Sequence, residues 1–215
     1  MKRLASLALT ALMAIAAAGA LRATGTESPV ADAAMRGEWA AVRTLLENGG
    51  DVNAAQGDGM TALHWAARQG ELATTRMLLA AGANVRATTR LGGYTALLLA
   101  SQMGHAAVID GLLKAGAEAN SATSNGATAL MLASASGRAE AVKTLLAAGA
   151  EVNATESSRL ETALMFAAAA NRVDVMKLLI SAGANVKAAT KIVDLKPQTN
   201  PEEEEFLRAQ QAQRQ

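Results

Sequence analysis

The sequence predicts an all-α repeat solenoid, a stack of helix–turn–helix units joined by hairpins. Three observations lead there. The triplet Thr-Ala-Leu occurs at 61–63, 95–97, 128–130 and 162–164, in steps of 34, 33 and 34 residues. A leucine pair and a Gly-Ala pair recur in register with it: Leu78-Leu79 with Gly82-Ala83, Leu112-Leu113 with Gly116-Ala117, Leu145-Leu146 with Gly149-Ala150, and Leu178-Leu179 with Gly183-Ala184. The composition favours helix: 51% of the 215 residues are apolar, yet only five are aromatic, and alanine and leucine supply most of the rest. A period near 33 with two short helical patterns per unit marks an array whose units bury their apolar faces on one another.

The chain opens with Met1-Lys2-Arg3 and then runs uncharged from Leu4 to Leu21. A basic start, an apolar stretch and Ala18-Gly19-Ala20 fit a secretory signal peptide over 1–20, cut after Ala20, with Ala16-Ala17-Ala18 as a competing site. The alternative is a retained membrane anchor. The uncharged run is 18 residues, at the lower edge for spanning, and eight of them are weakly hydrophobic alanines. With no cysteine in the chain, a lipoprotein anchor, disulfides and thiolate chemistry are excluded. Residues 21–27 read as a short linker.

Five units then follow, at 28–55, 56–89, 90–122, 123–156 and 157–188. In the first, Ser28-Pro29-Val30 stands 33 residues before Thr61, with Leu45-Leu46 and Gly49-Gly50 at the matching offsets. Thr61, Thr95, Thr128 and Thr162 are N-cap candidates for a first helix. Gly70, Gly104 and Gly137 end it, because glycine accepts the left-handed conformation past a C-terminus; Asn171 takes that position in the fifth unit. First helices are predicted near 29–36, 62–69, 96–103, 129–136 and 163–170, and second helices near 39–47, 72–80, 106–114, 139–147 and 173–181. After 188 the pattern is lost over a tail, 189–215. Asn200-Pro201-Glu202-Glu203 there reads as the start of a capping helix over about 201–213, with Phe206 and Leu207 packing back on the fifth unit. Glu202–Glu205 as an acidic interaction tail is the alternative. That the chain is the first half of a longer array is a further possibility, against which the loss of pattern after Ala188 speaks.

These units resemble ankyrin repeats. The second is nearest: Asp58-Gly59-Met60-Thr61-Ala62-Leu63-His64-Trp65-Ala66-Ala67-Arg68-Gln69-Gly70, closing with Leu78-Leu79-Ala80-Ala81-Gly82-Ala83-Asn84-Val85. The resemblance covers roughly 28–188. Alanine replaces the family's proline after threonine in four copies, and the family's histidine survives only as His64, with Leu98, Met131 and Met165 in its place. The resemblance implies an ankyrin-type stack whose first helices line a concave side, with hairpin tips beside them. It also implies a protein partner held by those tips and that face, and a structural role for His64.

Formal charge is +1, from 20 basic and 19 acidic residues, so no basic excess exists to grip nucleic acid. No cofactor and no metal is expected. His64 and His105 are the only histidines, at non-equivalent positions, and a zinc site needs three or four converging ligands. An enzyme would require a carboxylate pair hidden in the groove, and the acids are scattered without repeat-aligned pairing. Gly57-Asp58-Gly59 and Gly92-Gly93 read as turns, not phosphate loops. Asn153-Ala154-Thr155 fits a glycosylation acceptor, but asparagine recurring at Asn53, Asn84, Asn120 and Asn185 favours a structural reading.

Positions that vary between repeats are free for recognition. Just before each threonine they are Met60, Tyr94, Ala127 and Glu161; late in the first helix they include Arg68-Gln69 and Gln102-Met103. The larger ones gather in the second and third repeats, so the expected partner-binding set is Met60, Arg68, Gln69, Arg90, Leu91, Tyr94, Gln102, Met103 and Glu161. Tyrosine and arginine anchor interfaces and methionine adapts to varied shapes. Met60 and Tyr94 could instead pack across adjacent hairpins. Trp65 and Phe166, which share one position, are expected in the core. The function expected is a monomeric scaffold or inhibitor, periplasmic or secreted, for an unidentified protein partner, with a membrane contact only if the N-terminal segment is retained.

Overall fold

The computed structural model describes residues 28–190. The signal peptide and linker expected before Ser28, and the capping helix expected over 201–213, lie outside them. Among the described residues there are ten helices: α1 (Pro29–Met35), α2 (Trp39–Glu47), α3 (Ala62–Gln69), α4 (Leu72–Ala80), α5 (Ala96–Met103), α6 (Ala106–Lys114), α7 (Ala129–Ser136), α8 (Ala139–Ala147), α9 (Ala163–Ala169) and α10 (Val173–Ser181). The fold is an all-α repeat solenoid. Each helix falls within one residue of its predicted range; α1 and α9 each stop one residue sooner. No described helix is long and apolar enough to cross a membrane.

Local chemistry sets the helix ends. The hydroxyls of Thr95, Thr128 and Thr162 accept the backbone N–H groups of Leu98, Met131 and Met165 at 3.3, 3.4 and 3.4 Å, satisfying a donor that has no partner inside the helix. At the other end of the first helices, Gly70, Gly104 and Gly137 all have positive φ, and Asn171 sits at +54° in their place. The next repeat covers these ends. His105 Nε2 donates to the Arg68 carbonyl (3.1 Å) and Arg172 Nε to that of Ala135 (3.1 Å), so cationic or polar groups meet helix C-termini whose carbonyls are otherwise unpaired.

The first helices α1, α3, α5, α7 and α9 pack in series, and α4, α6, α8 and α10 pack beside them. Ala66, Ala100, Ala133 and Ala167 occupy one position of the first helix and are wholly buried. Small side chains there let neighbouring helices approach closely. Two positions of the second helix complete the core. Leu78, Leu112, Leu145 and Leu179 fill one, and Val42, Thr75, Ile109 and Val142 the other, all at 0% exposure.

The asparagines divide into two positions, correcting the single one expected from sequence. Asn53, Asn120 and Asn153 bridge to the next repeat. Their amides donate to the carbonyls of Gly82, Gly149 and Gly183 (3.1, 3.4 and 3.1 Å), and their side-chain oxygens accept the N–H groups of Asn84, Glu151 and Asn185 (2.7, 2.8 and 2.8 Å). Asn84 and Asn185 stand two residues earlier in their repeats, where they close a local turn onto Arg86 and Lys187. Arg86 holds the bridging position between the second and third repeats, and there an exposed Arg86–Glu118 ion pair (3.4 Å) replaces the amide bridge.

Candidate partner-binding surface

Each hairpin is closed by a residue at one repeating position: Gln56, Thr89, Thr123 and Glu156. Their N–H groups donate to the carbonyls of Met60, Tyr94, Ala127 and Glu161 at 2.9, 2.9, 3.0 and 3.0 Å. The tips are then tied in series by single backbone bonds: Arg90 N–H to Asp58 O, Ser124 N–H to Gly92 O, and Ser157 N–H to Asn125 O. Such ties make the tips one continuous edge.

Two buried ionisable groups serve this edge. His64 Nδ1 accepts the Thr61 N–H (3.1 Å), which places the ring proton on Nε2, and Nε2 donates to the carbonyls of Ala87 (3.1 Å) and Tyr94 (3.0 Å). Burial pushes the imidazole pKa down, so the ring is neutral. Glu156 turns its carboxylate into its own hairpin. It accepts the hydroxyl and N–H of Ser158 and the N–H groups of Arg159 (2.5 Å) and Glu161 (3.2 Å). The Ser158 hydroxyl, then these amides, lower its pKa to about 2.

The structure revises the expected binding set. Met60 is 6% exposed, and Ala127 at the same position is also buried. Met60 is therefore sealed and leaves the surface set, while Tyr94 and Glu161 at the same position stay half-buried. Tyr94 is half-buried, its ring laid against Gly92, where a Cβ would come within 2.7 Å of Cε2. Leu91 is 80% exposed at the third hairpin tip beside exposed Arg90. Arg68, Gln69, Gln102 and Met103 are exposed at the C-terminal ends of α3 and α5, which pack together. Gln69 also reaches back to the Ala34 carbonyl (3.1 Å). Glu161 stands apart in the fifth hairpin, half-buried and paired with Arg159 (3.8 Å). The remaining residues lie at two places, Arg90, Leu91 and Tyr94 in the third hairpin and Arg68, Gln69, Gln102 and Met103 at the C-terminal ends of α3 and α5.

Trp65, expected in the core, packs against it without being sealed by it. It is half-buried on the flank of α3, with Nε1 donating to Gln56 Oε1 (2.8 Å) and the Arg68 guanidinium 5.5 Å above its ring. Gln56 in turn donates to Asp32 Oδ1 (2.6 Å). Phe166, at the same position of α9, is half-buried too. An arginine three residues after a tryptophan, one helical turn on, was the available signal. Arg68 and Arg90 have no carboxylate within ion-pair distance among the described residues. Among those residues no three His, Asp or Glu side chains converge as a metal would require.

Asn153 commits both its side-chain atoms to the fifth repeat, so carrying a glycan there would break the bridge.

Comparison with known proteins agrees with this architecture. The family described as "Ankyrin repeats (3 copies)" matches overlapping stretches at residues 4–89, 30–123, 83–156 and 117–190. An E3 ubiquitin-protein ligase of Arabidopsis thaliana, XBAT33, is 42% identical over 85 residues, 40% of this chain and 17% of the relative. The Bos taurus ankyrin repeat and SOCS box protein 3 is 36% identical over 100 residues, 46% of this chain and 19% of the relative. The chain thus spans less than a fifth of these relatives' length. A repeating threonine cap, a hairpin histidine and helix pairs stacked in series coincide with a family match across most of the sequence: the chain belongs to the ankyrin repeat family.

Proposed function

We propose that this protein is a non-catalytic scaffold or inhibitor, exported to the periplasm or secreted, that holds a partner protein on the second and third repeats. The observation that carries the reading is the Arg68 guanidinium over Trp65, on an array that also exposes Met103 at the end of α5 and Arg90 with Leu91 at the third hairpin tip. A guanidinium held on an aromatic face is already ordered, so it loses little freedom when a carboxylate or carbonyl of a partner meets it. Both ring nitrogens of the buried His64 are committed to hydrogen bonds within the array, and His105 Nε2 donates to the Arg68 carbonyl. Export rests on the basic start and uncharged run of residues 1–21.

The test is affinity capture from the native compartment with the parent and with a variant carrying Arg68→Glu, Arg90→Glu and Tyr94→Ala. The partner retained by the parent is expected to drop at least about tenfold while the far-ultraviolet circular dichroism is unchanged. Undiminished capture of that partner would remove this surface from consideration. Mass spectrometry of the mature N-terminus tests export: a chain starting at Leu21 supports it, and a retained Met1 favours the tethered form.

A further inference from the structure

We infer that the open face of the fifth repeat is the docking site for the acidic and apolar segment Glu202–Leu207 of the same chain. The two ends of the array show which positions need which neighbour. Leu45 starts the leucine series of the second helices and is half-buried, whereas Leu78, Leu112, Leu145 and Leu179 are wholly buried. That position therefore needs the preceding repeat. The other series behaves oppositely: Val42, Thr75, Ile109 and Val142 are wholly buried, and Met176, next in register, is only half-buried. It needs a following unit.

The first helix agrees. Leu63, Leu97 and Leu130 are buried where Leu164 is half-buried, and His64, Leu98 and Met131 are buried where Met165 is half-buried. On α10, Val173, Met176, Lys177 and Ile180 follow helical spacing and form one stripe, with Val173 52% and Ile180 47% exposed. Val186 is exposed where Val52, Val85 and Val152 are half-buried. The fifth repeat thus offers the surface that every other repeat covers with its successor.

Charge and sequence choose the occupant. Lys177 and Lys187 are exposed on this side and have no ion-pair partner among the described residues, with Asp174 the one acid of α10. The chain continues with four glutamates, Glu202–Glu205, directly followed by Phe206-Leu207. Carboxylates to meet the lysines and large apolar groups to meet Met176 and Ile180 come in one short segment. Reach is ample: twelve residues from Thr190 to Glu202 extend up to about 40 Å, against about 13 Å for the nine-residue α10.

The chain has no cysteine, so a single introduced thiol reports this face cleanly. In the full-length protein, Ile180→Cys is labelled with a maleimide probe under native conditions, alone and together with Phe206→Ser and Leu207→Ser. The tail substitutions are expected to speed labelling at least about fivefold, with the helical circular dichroism unchanged, because they release a local closed state. Reversing Glu202–Glu205 to lysine should speed it as well, and protection in the parent should be the same at tenfold dilution. In a second arm, Met176→Cys with Leu207→Cys should oxidise to a disulfide within one chain. Equal labelling with and without the tail substitutions would overturn the inference. So would protection that disappears on dilution, which would assign the face to a second copy.

Discussion

His64 Nε2 of the second repeat lies 3.0 Å from the carbonyl oxygen of Tyr94 and 3.1 Å from that of Ala87, so one imidazole holds both arms of the third hairpin. Protonating Nδ1 would break its bond from the Thr61 N–H and place a charge in a buried site. Burial lowers the folded-state pKa below 6.5, so the unfolded chain binds the proton more readily. The stabilisation is therefore complete above about pH 6.5 and lost as pH falls below it. Urea unfolding at pH 7 and pH 5 should show the parent losing stability on acidification, with a smaller loss in His64→Leu. At pH 7 His64→Leu itself should cost about 1–3 kcal/mol, because the carbonyls of Ala87 and Tyr94 lose their donor.

Glu156 should give a second acid-side dependence. Its carboxylate pKa is held at about 2, below the ordinary 4.5, so its contribution is present above pH 4.5 and lost as pH falls toward 2. In Glu156→Ala, hydrogen exchange at the amides of Ser158, Arg159 and Glu161 should quicken while exchange in α7 and α8 is unchanged. Uniform quickening throughout the fourth and fifth repeats would show that the carboxylate supports more than its hairpin.

Thr75 sits at the position held by Val42, Ile109 and Val142, wholly buried, with a hydroxyl that finds no partner. Thr75→Val keeps the shape and removes the orphan group. It should stabilise the protein by about 1 kcal/mol, raising Tm by a few degrees. A scanning-calorimetry trace with Tm lowered would mean the hydroxyl is satisfied in solution.

Arg86→Asn should rebuild the missing amide bridge onto Gly116 O and Glu118 N. The Arg86–Glu118 pair it removes is exposed on both sides and worth little. A net gain of about 0.5–1 kcal/mol is expected from urea midpoints. Asn120→Arg, the reverse change at the third-to-fourth junction, should lose a similar amount.

The helices were legible in the sequence because their signals are local and repeated. Thr61, Gly70 and Gly82 each act on their own turn of chain, and five copies average out the errors of one. The candidate surface was legible only in part. Arg68, Arg90, Leu91 and Met103 are exposed, whereas Met60 is sealed and Trp65 packs against the core with one side left open. Both lie within a few residues of the same cap, and spacing along one chain does not tell the inward side of a hairpin from the flank of a helix.

The sequence alone determined the period, the helix limits, the caps and the family, since each depends on residues near one another in the chain. The tertiary structure alone decided which member of a repeated position is covered. Val142 and Met176 hold the same place in successive units, yet one is sealed and the other open. Burial in a stack is conferred by the neighbouring unit, and no described unit follows the fifth repeat.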